Sequence, residues 1–223
     1  MTNPTGWAGS TAETIKYLTD DQVRAFFAAV EAVPDKVIRA RDLCLFNLML
    51  SYGLRVMEVA LIKHEHVHLM VEPAQLYITR VKRKRTKEGK EKPRLGQWYD
   101  LSERNEHLIR AWLRVRKTYP HAAESASLFI TRESGTFSAP HVYDSTIKYG
   151  KAAGLRVHPH MFRHTCGVRL AKAGRNAFAI QKRLGHVSVI STQCYVDLAG
   201  PDRHKEDRRD DEAIEDDYIC RTT

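Results

Sequence analysis

The segment from Arg39 to Tyr52 most constrains the fold of this chain, because it reads as a helix that has to be buried. Its large apolar side chains are Leu43, Leu45, Phe46, Leu48, Met49 and Leu50. Gly53 follows, and glycine commonly ends helices because it tolerates positive φ. The uncharged stretch from Leu43 to Leu54 has 12 residues, whereas a membrane-spanning helix needs about 20. The segment therefore predicts a central helix of a globular core.

Further helices are indicated by capping residues that precede apolar residues at helical spacing. They are predicted after Thr19, after Ser102, over 138–153, 159–173 and 177–184, and from about Ser188. Strand-like residues at 74–81 and 97–101 flank a turn at Glu88-Gly89 and predict a long antiparallel hairpin over 75–101. A short strand is predicted at Leu128-Phe129-Ile130. The expected fold class is α+β, mostly α-helical with a small antiparallel β-sheet.

The charge of the chain is concentrated in two places. The whole chain carries a formal net charge of +9, and its 43% hydrophobic content excludes a disordered protein. Residues 80–94 hold nine Lys or Arg against two Glu, whereas residues 202–223 hold nine Asp or Glu against five Lys or Arg. A basic body of this kind favours a polyanionic partner such as DNA. A merely solvated basic surface is the alternative.

Four spaced motifs carry the most specific signal. They are Gly53-Leu54-Arg55, His160-Met161-Phe162-Arg163-His164, Leu184-Gly185-His186, and Tyr195 nine residues after His186. In this order and spacing they resemble the tyrosine recombinase (phage integrase) family over residues 18–200. The segments Tyr119-Pro120-His121-Ala122 and His158-Pro159-His160 are similar to the short recombinases that invert fimbrial promoters. The resemblance implies the tyrosine recombinase catalytic-domain fold.

These residue types suit cleavage of a phosphodiester, which needs a nucleophile, cations on the phosphate oxygens and a proton donor for the leaving oxygen. Arg55 and Arg163 are predicted to clamp the phosphate, because arginine stays charged and binds such oxygens bidentately. His160 would exchange a proton with the nucleophile, and His186 would donate a hydrogen bond to the phosphate. Tyr195 is the predicted nucleophile and would form a covalent phosphotyrosine. No metal, ATP or other cofactor is expected.

The resemblance further implies a 3′-phosphate link and a 5′-hydroxyl leaving group that receives its proton from a lysine of the hairpin. Lys82 is the first candidate for this general acid and Lys84 the second, since Arg80-Val81-Lys82 is similar to an Arg-Leu-Lys turn of the fimbrial recombinases. The predicted DNA-binding residues of the hairpin are Arg80, Arg83, Lys84, Arg85 and Lys87. Each phosphate that they contact should steepen the salt dependence of binding.

The predicted organisation is a flexible segment over 1–18, a catalytic domain over 19–200 and an acidic tail over 201–223. The tail is either solvated or a short helix exchanged between protomers. The short amino-terminal segment is either natural or the result of truncation. By resemblance the partners are double-stranded DNA recombination sites and further copies of the chain, which form a tetramer on paired sites. An accessory DNA-bending protein is a further partner to be considered. The lack of a secretory signal or membrane span predicts a cytoplasmic, DNA-associated protein.

Several residues and functions have a second interpretation. By resemblance Glu58 supports the site, whereas alone it could form an exposed i, i+3 ion pair with Arg55. His64, His66 and His68 alternate along the chain, so on a strand their side chains would share one face, as metal ligands can. No further ligand pattern completes a metal site. The predicted activity is site-specific recombination for integration, excision or inversion of DNA. A topoisomerase-like activity on one duplex and a DNA-binding regulator without turnover are the alternatives.

Overall fold

Eight α-helices and one small antiparallel sheet make up the described residues, 16–80, 96–186 and 189–198, of this computed structural model. The helices are α1 (Asp20–Glu31), α2 (Lys36–Tyr52), α3 (Val56–Ala60), α4 (Glu103–Arg116), α5 (Ala139–Ala152), α6 (Pro159–Lys172), α7 (Ala177–Leu184) and α8 (Ile190–Leu198). The predicted fold class, mostly helical with a small antiparallel sheet, is confirmed. By its contacts the chain divides into two compact units, 17–165 and 166–223, the latter together with 1–16. The predicted division into 1–18, 19–200 and 201–223 stays a prediction.

Local capping sets where the helices begin and end. The Thr19 hydroxyl accepts a hydrogen bond from the backbone N–H of Gln22, whose side chain in turn accepts from the N–H of Thr19. Helix α2 begins three residues earlier than predicted, because Asp35 caps it by accepting from the N–H groups of residues 37 and 38. It ends as predicted at Gly53, which has φ 58°.

Helix α2 lies at the centre of the core, as its composition predicts. Phe46 is fully buried. Its ring centroid lies 5.0 Å from that of Phe26 on α1, 5.8 Å from that of Tyr149 on α5 and 5.5 Å from that of Phe162 on α6. Burial of one such side chain stabilises the fold by about 1.5–3 kcal/mol. The aromatic cluster therefore fixes the position of the first turns of α6 against α2.

A buried polar network joins α2 to α5. Asp42 is fully buried and accepts hydrogen bonds from Nε of Arg41, at 2.7 Å, and from the Tyr149 hydroxyl. Burial, and after it the charge of Asp42, raises the pKa of Tyr149. Tyr149 therefore remains a neutral hydroxyl that donates to Asp42, and the network satisfies groups that would be costly to bury alone.

The sheet has the strands β1 (Val67–His68), β2 (Gln75–Thr79) and β3 (Gly96–Asp100), in the order β1-β2-β3 with antiparallel pairing. Leu76 pairs with Tyr99 in β2 and β3, and both side chains are buried on the core face. These two strands confirm the base of the predicted hairpin, while its tip at 81–95 lies outside the described residues.

The predicted strand Leu128–Ile130 is wrong. These described residues form no strand, and one isolated bridge joins Ser127 to Lys63 beside them. The Leu128 carbonyl instead accepts hydrogen bonds from side chains of α4, namely Nε1 of Trp112 at 2.9 Å and Nε of Arg116 at 3.1 Å. The apolar triplet is therefore a buried connection in which side chains satisfy the Leu128 carbonyl, while the Leu128 N–H donates to the Ile62 carbonyl at 2.8 Å.

Arg116 holds the loop that follows α4. Its guanidinium donates to the carbonyls of Ala122 at 2.8 Å, Ser125 at 2.9 Å and Ser127 at 2.7 Å, in addition to that of Leu128. The residue is buried, with 6% exposure. One arginine thus satisfies four backbone acceptors and positions residues 122–128.

The three alternating histidines do not share a site. His64 and His66 lie in a 3₁₀ turn, His64–His66, where the His66 ring contacts Tyr77 with centroids 5.2 Å apart. His68 on β1 contacts Trp98 on β3, with centroids 4.3 Å apart. Among the described residues no group of three or more His, Cys, Asp or Glu could hold a metal ion. Within those same residues, every helix is too short or too polar to cross a membrane.

Candidate active site

Arg55 and Glu58 form a buried anchor at the start of α3. Gly53 turns the chain out of α2, so Arg55 lies immediately before α3 and Glu58 in its first turn. The Glu58 carboxylate accepts from the backbone N–H of Arg55 at 3.0 Å and from its Nη1 at 2.8 Å. The Glu58 side chain is fully buried, whereas that of Arg55 is 22% exposed. The pair is therefore not the exposed surface pair of the alternative interpretation, and Glu58 supports the Arg55 guanidinium.

Arg80 approaches the same carboxylate from the sheet. It directly follows β2, and its Nη1 donates to Oε2 of Glu58 at 2.9 Å. Its Nη2 donates to the Tyr99 hydroxyl, and the guanidinium lies over the Tyr99 ring. The Arg80 side chain is only 12% exposed. It therefore joins the base of the hairpin to α3, and contact of Arg80 with DNA stays a prediction.

The neighbouring arginines keep Glu58 ionised in the protein interior. Burial alone would raise the pKa of Glu58, but the charge of Arg80, the backbone hydrogen bond from Arg55, and the charges of Arg55 and Arg163 together hold it below its ordinary value. A buried carboxylate with two cationic partners and a backbone donor is a rigid acceptor. Arg55 is thus held in one orientation before any ligand binds.

Arg163 is anchored through the backbone of the turn that precedes Arg55. It lies on α6 with 3% exposure, and its Nη1 donates to the Gly53 carbonyl at 2.6 Å. Because Gly53 is two residues before Arg55, this bond places the two motif arginines beside each other. Charges of both arginines also act on Glu58. The two motif arginines are therefore neighbours in this unit, and their role as a phosphate clamp stays a prediction.

His160 lies in the first turn of α6, three residues before Arg163. Loss of hydration lowers the pKa of His160, and electrostatic interaction with His158, Arg163 and Arg55 lowers it further, while Glu58 opposes this effect. Neutral imidazole is therefore the dominant form at pH 7, since an ordinary histidine already titrates near 6.5. A neutral imidazole beside two arginines can accept a proton from a nearby acidic group.

The second unit holds His186 and Tyr195. Tyr195 on α8 is 2% exposed, and its ring lies so close to Gly167 that a Cβ there would be 2.9 Å from three ring carbons. The rings of His186 and Tyr195 are stacked with centroids 6.1 Å apart. Nδ1 of His186 is hydrogen-bonded to Oγ1 of Thr192 at 2.9 Å, which fixes the imidazole to α8.

The predicted site residues thus fall into three groups. Arg55, His160 and Arg163 come together in the first unit, and His186 and Tyr195 come together in the second. The other hairpin predictions, Lys82, Arg83, Lys84, Arg85 and Lys87, lie outside the described residues. Sequence reasoning missed Thr192, Gly167 and the inward role of Arg80. A buried carboxylate at Glu58 needs a cationic partner, and this need was the available signal for Arg80. No rule of sequence spacing shows which arginine or lysine supplies that partner.

The chain is similar to several known proteins. The chain is 29% identical to the type 1 fimbriae regulatory protein FimB of Escherichia coli K12 over 181 residues, which cover 80% of this chain and 82% of FimB. It is 29% identical to FimE of the same strain, over 81% of this chain and 84% of FimE. It is also 28% identical to the tyrosine recombinase XerC of Pseudomonas entomophila, over 81% of this chain and 56% of that protein.

Solved structures show the same fold. The crystal structure of the XerA recombinase superimposes with a TM-score of 0.67 at 23% identity, over 87% of this chain and 65% of that one. The pre-cleavage complex of the XerH site-specific recombinase with difH gives a TM-score of 0.63 at 21% identity, over 82% of this chain and 50% of that one. The chain therefore spans half to two thirds of these structures. The model of the phage integrase family matches residues 16–200, and the chain belongs to this family of tyrosine recombinases.

Proposed function

We propose that this protein is a site-specific DNA recombinase that cleaves and rejoins strands through a 3′-phosphotyrosine intermediate. The observation that carries the proposal is the anchoring of Arg55 and Arg163 around the turn at Gly53, with His160 beside them. Two fixed guanidinium groups are preorganised to stabilise the negative charge of a pentacoordinate phosphate. Loss of one such donor typically costs on the order of 100- to 1000-fold in rate.

In the proposed reaction, the Tyr195 oxygen attacks the scissile phosphorus and the bond from phosphorus to O5′ breaks. The phenol proton passes to neutral His160, and the departing O5′ takes a proton from Lys82 or, as the second candidate, Lys84. His186 donates a hydrogen bond to a phosphate oxygen. The phosphotyrosine keeps the energy of the phosphodiester, so attack by a 5′ hydroxyl from the partner strand reseals the DNA in the reverse reaction.

The proposed substrate is double-stranded DNA that carries paired recombination sites, with the protein acting as a tetramer and located with the DNA inside the cell. Inversion has specific support, because relatives that match over four fifths of their length are named as fimbrial regulatory proteins. Integration and excision use the same chemistry and differ in how the sites are arranged. An accessory DNA-bending protein is a further proposed partner.

A nicked suicide duplex that carries candidate sites from the flanks of the gene tests the proposal. Incubation without added ATP should give a covalent protein–DNA band on a denaturing gel. Tyr195→Phe should abolish the band, whereas the matched change Tyr17→Phe should leave it. Strand exchange between two labelled sites separates recombination from relaxation of one duplex. Tight binding with no band would favour the regulator without turnover.

A further inference from the structure

His158 makes an unusual cap for the helix that carries His160 and Arg163. It directly precedes Pro159, the first residue of α6. Its Nδ1 accepts a hydrogen bond from the backbone N–H of His160 at 3.3 Å. Side chains that precede a helix by one residue commonly satisfy its free N–H groups in this way, but the usual ones are those of Ser, Thr, Asp and Asn.

The His158 ring also lies against the ring of His160. The two imidazoles are parallel within 9°, with centroids 5.7 Å apart. His158 also meets the ring of Tyr143 from α5 edge to face, with centroids 5.4 Å apart and an angle of 81°. His158 therefore contacts both the Tyr143 ring on α5 and the His160 ring on α6.

The chemistry of imidazole suits this position better than that of the common caps. An aspartate would cap the helix but would add a negative charge beside a site that has to bind phosphate. A serine would cap it but offers no ring surface to His160. An imidazole ring provides both the acceptor at Nδ1 and the flat surface.

We propose that His158 is a positioning residue that holds His160 for proton transfer, through the hydrogen bond that caps α6 and through the parallel contact of the two rings. The proposal rests on the proposed function, in which His160 takes the proton of Tyr195. The groups that act electrostatically on His160 are His158, Arg163, Arg55 and Glu58, and the His164 ring lies 6.5 Å away on the next turn.

Two variants separate the two contacts. His158→Ser keeps a capping oxygen and loses the ring, whereas His158→Phe keeps a ring and loses the acceptor. We expect each to slow formation of the covalent complex on the suicide duplex by on the order of tenfold, because small losses of alignment are costly in rate. His107→Ser, at an exposed histidine on α4, is the matched control and should cleave at the wild-type rate.

A second measurement does not depend on cleavage. The pKa of His160, followed by NMR of its ring protons, should rise in His158→Ser, because the ring that shields the His160 imidazole from water is removed. Thermal melting of each variant shows whether it folds. The proposal is overturned if His158→Ser cleaves within twofold of wild type, or if the His160 titration is the same in both folded proteins. Failure of the wild type itself to cleave bound DNA would refute the proposed function, and the titration would still decide the role of His158.

Discussion

Replacement of Glu58 by glutamine is the most direct test of the buried anchor. Glu58→Gln keeps the size of the side chain but removes the charge that Arg55 and Arg80 share at 2.8 and 2.9 Å. Removal of one partner from a buried ion pair typically costs about 3–5 kcal/mol. The glutamine amide keeps one oxygen that can accept from the backbone N–H of Arg55, its Nη1 and Nη1 of Arg80. We therefore expect a loss of unfolding free energy at the lower end of this range, about 3 kcal/mol. At about 2–4 °C per kcal/mol for a protein of this size, the melting temperature should fall by roughly 6–12 °C.

Urea unfolding followed by circular dichroism measures this free energy, and Glu106→Gln is the matched control. Glu106 pairs with Arg110 on the surface of α4, so its replacement should cost no more than about 0.5 kcal/mol. If Glu58→Gln stays within about 1 kcal/mol of wild type, the anchor does not exist as described. The stabilisation from the Glu58 carboxylate should be complete above its unfolded pKa near 4.3 and be lost as the pH falls through the lower folded value, because the folded pKa is depressed.

Three further predictions follow from the site. Arg80→Gln should lower the melting temperature, because the Glu58 carboxylate loses a charged donor at 2.9 Å. If Arg80 also contacts phosphate, as predicted, the slope of log affinity against log salt should fall by about 0.9, and an unchanged slope would refute that contact. Gly167→Val should lower the free energy of unfolding by about 1–3 kcal/mol, because its side chain overlaps the Tyr195 ring; an unchanged value would mean that the ring moves aside freely. As the pH is lowered, the cleavage rate should fall with a midpoint below pH 6.5, because the folded protein lowers the His160 pKa and keeps the imidazole neutral to more acidic pH. A midpoint above pH 6.5, measured in quenched reactions over a series of pH values, would contradict this.

Local signals made most of the helices predictable. Thr19 and Ser102 each precede a helix where the sequence places it, because a hydroxyl before an apolar repeat accepts from a backbone N–H only three residues away. Gly53 and Gly185 end α2 and α7 with positive φ for the same local reason. The ordered motifs were equally readable, since their order and spacing are those of the family whose model matches residues 16–200.

Contacts between distant side chains were not predictable in this way. Arg80 lies 22 residues from Glu58, and nothing in its basic neighbourhood distinguishes an inward arginine from one that faces solvent. The predicted strand at Leu128 failed because Trp112 and Arg116 use its carbonyl, a competition that apolar composition does not show. The cap that His158 provides for α6 was not predictable either, because histidine is not a usual capping residue.

The four carbonyl contacts of Arg116 bear on how this protein can change during evolution. The restraint that they impose on residues 122–128 depends on main-chain oxygens, which every amino acid carries, and not on the identity of the residues that supply them. Substitutions of Ser127 are therefore tolerable as long as Arg116 is kept on α4. In a library of all single substitutions, Arg116 should be nearly invariant among functional clones, while Ser127 should accept many replacements.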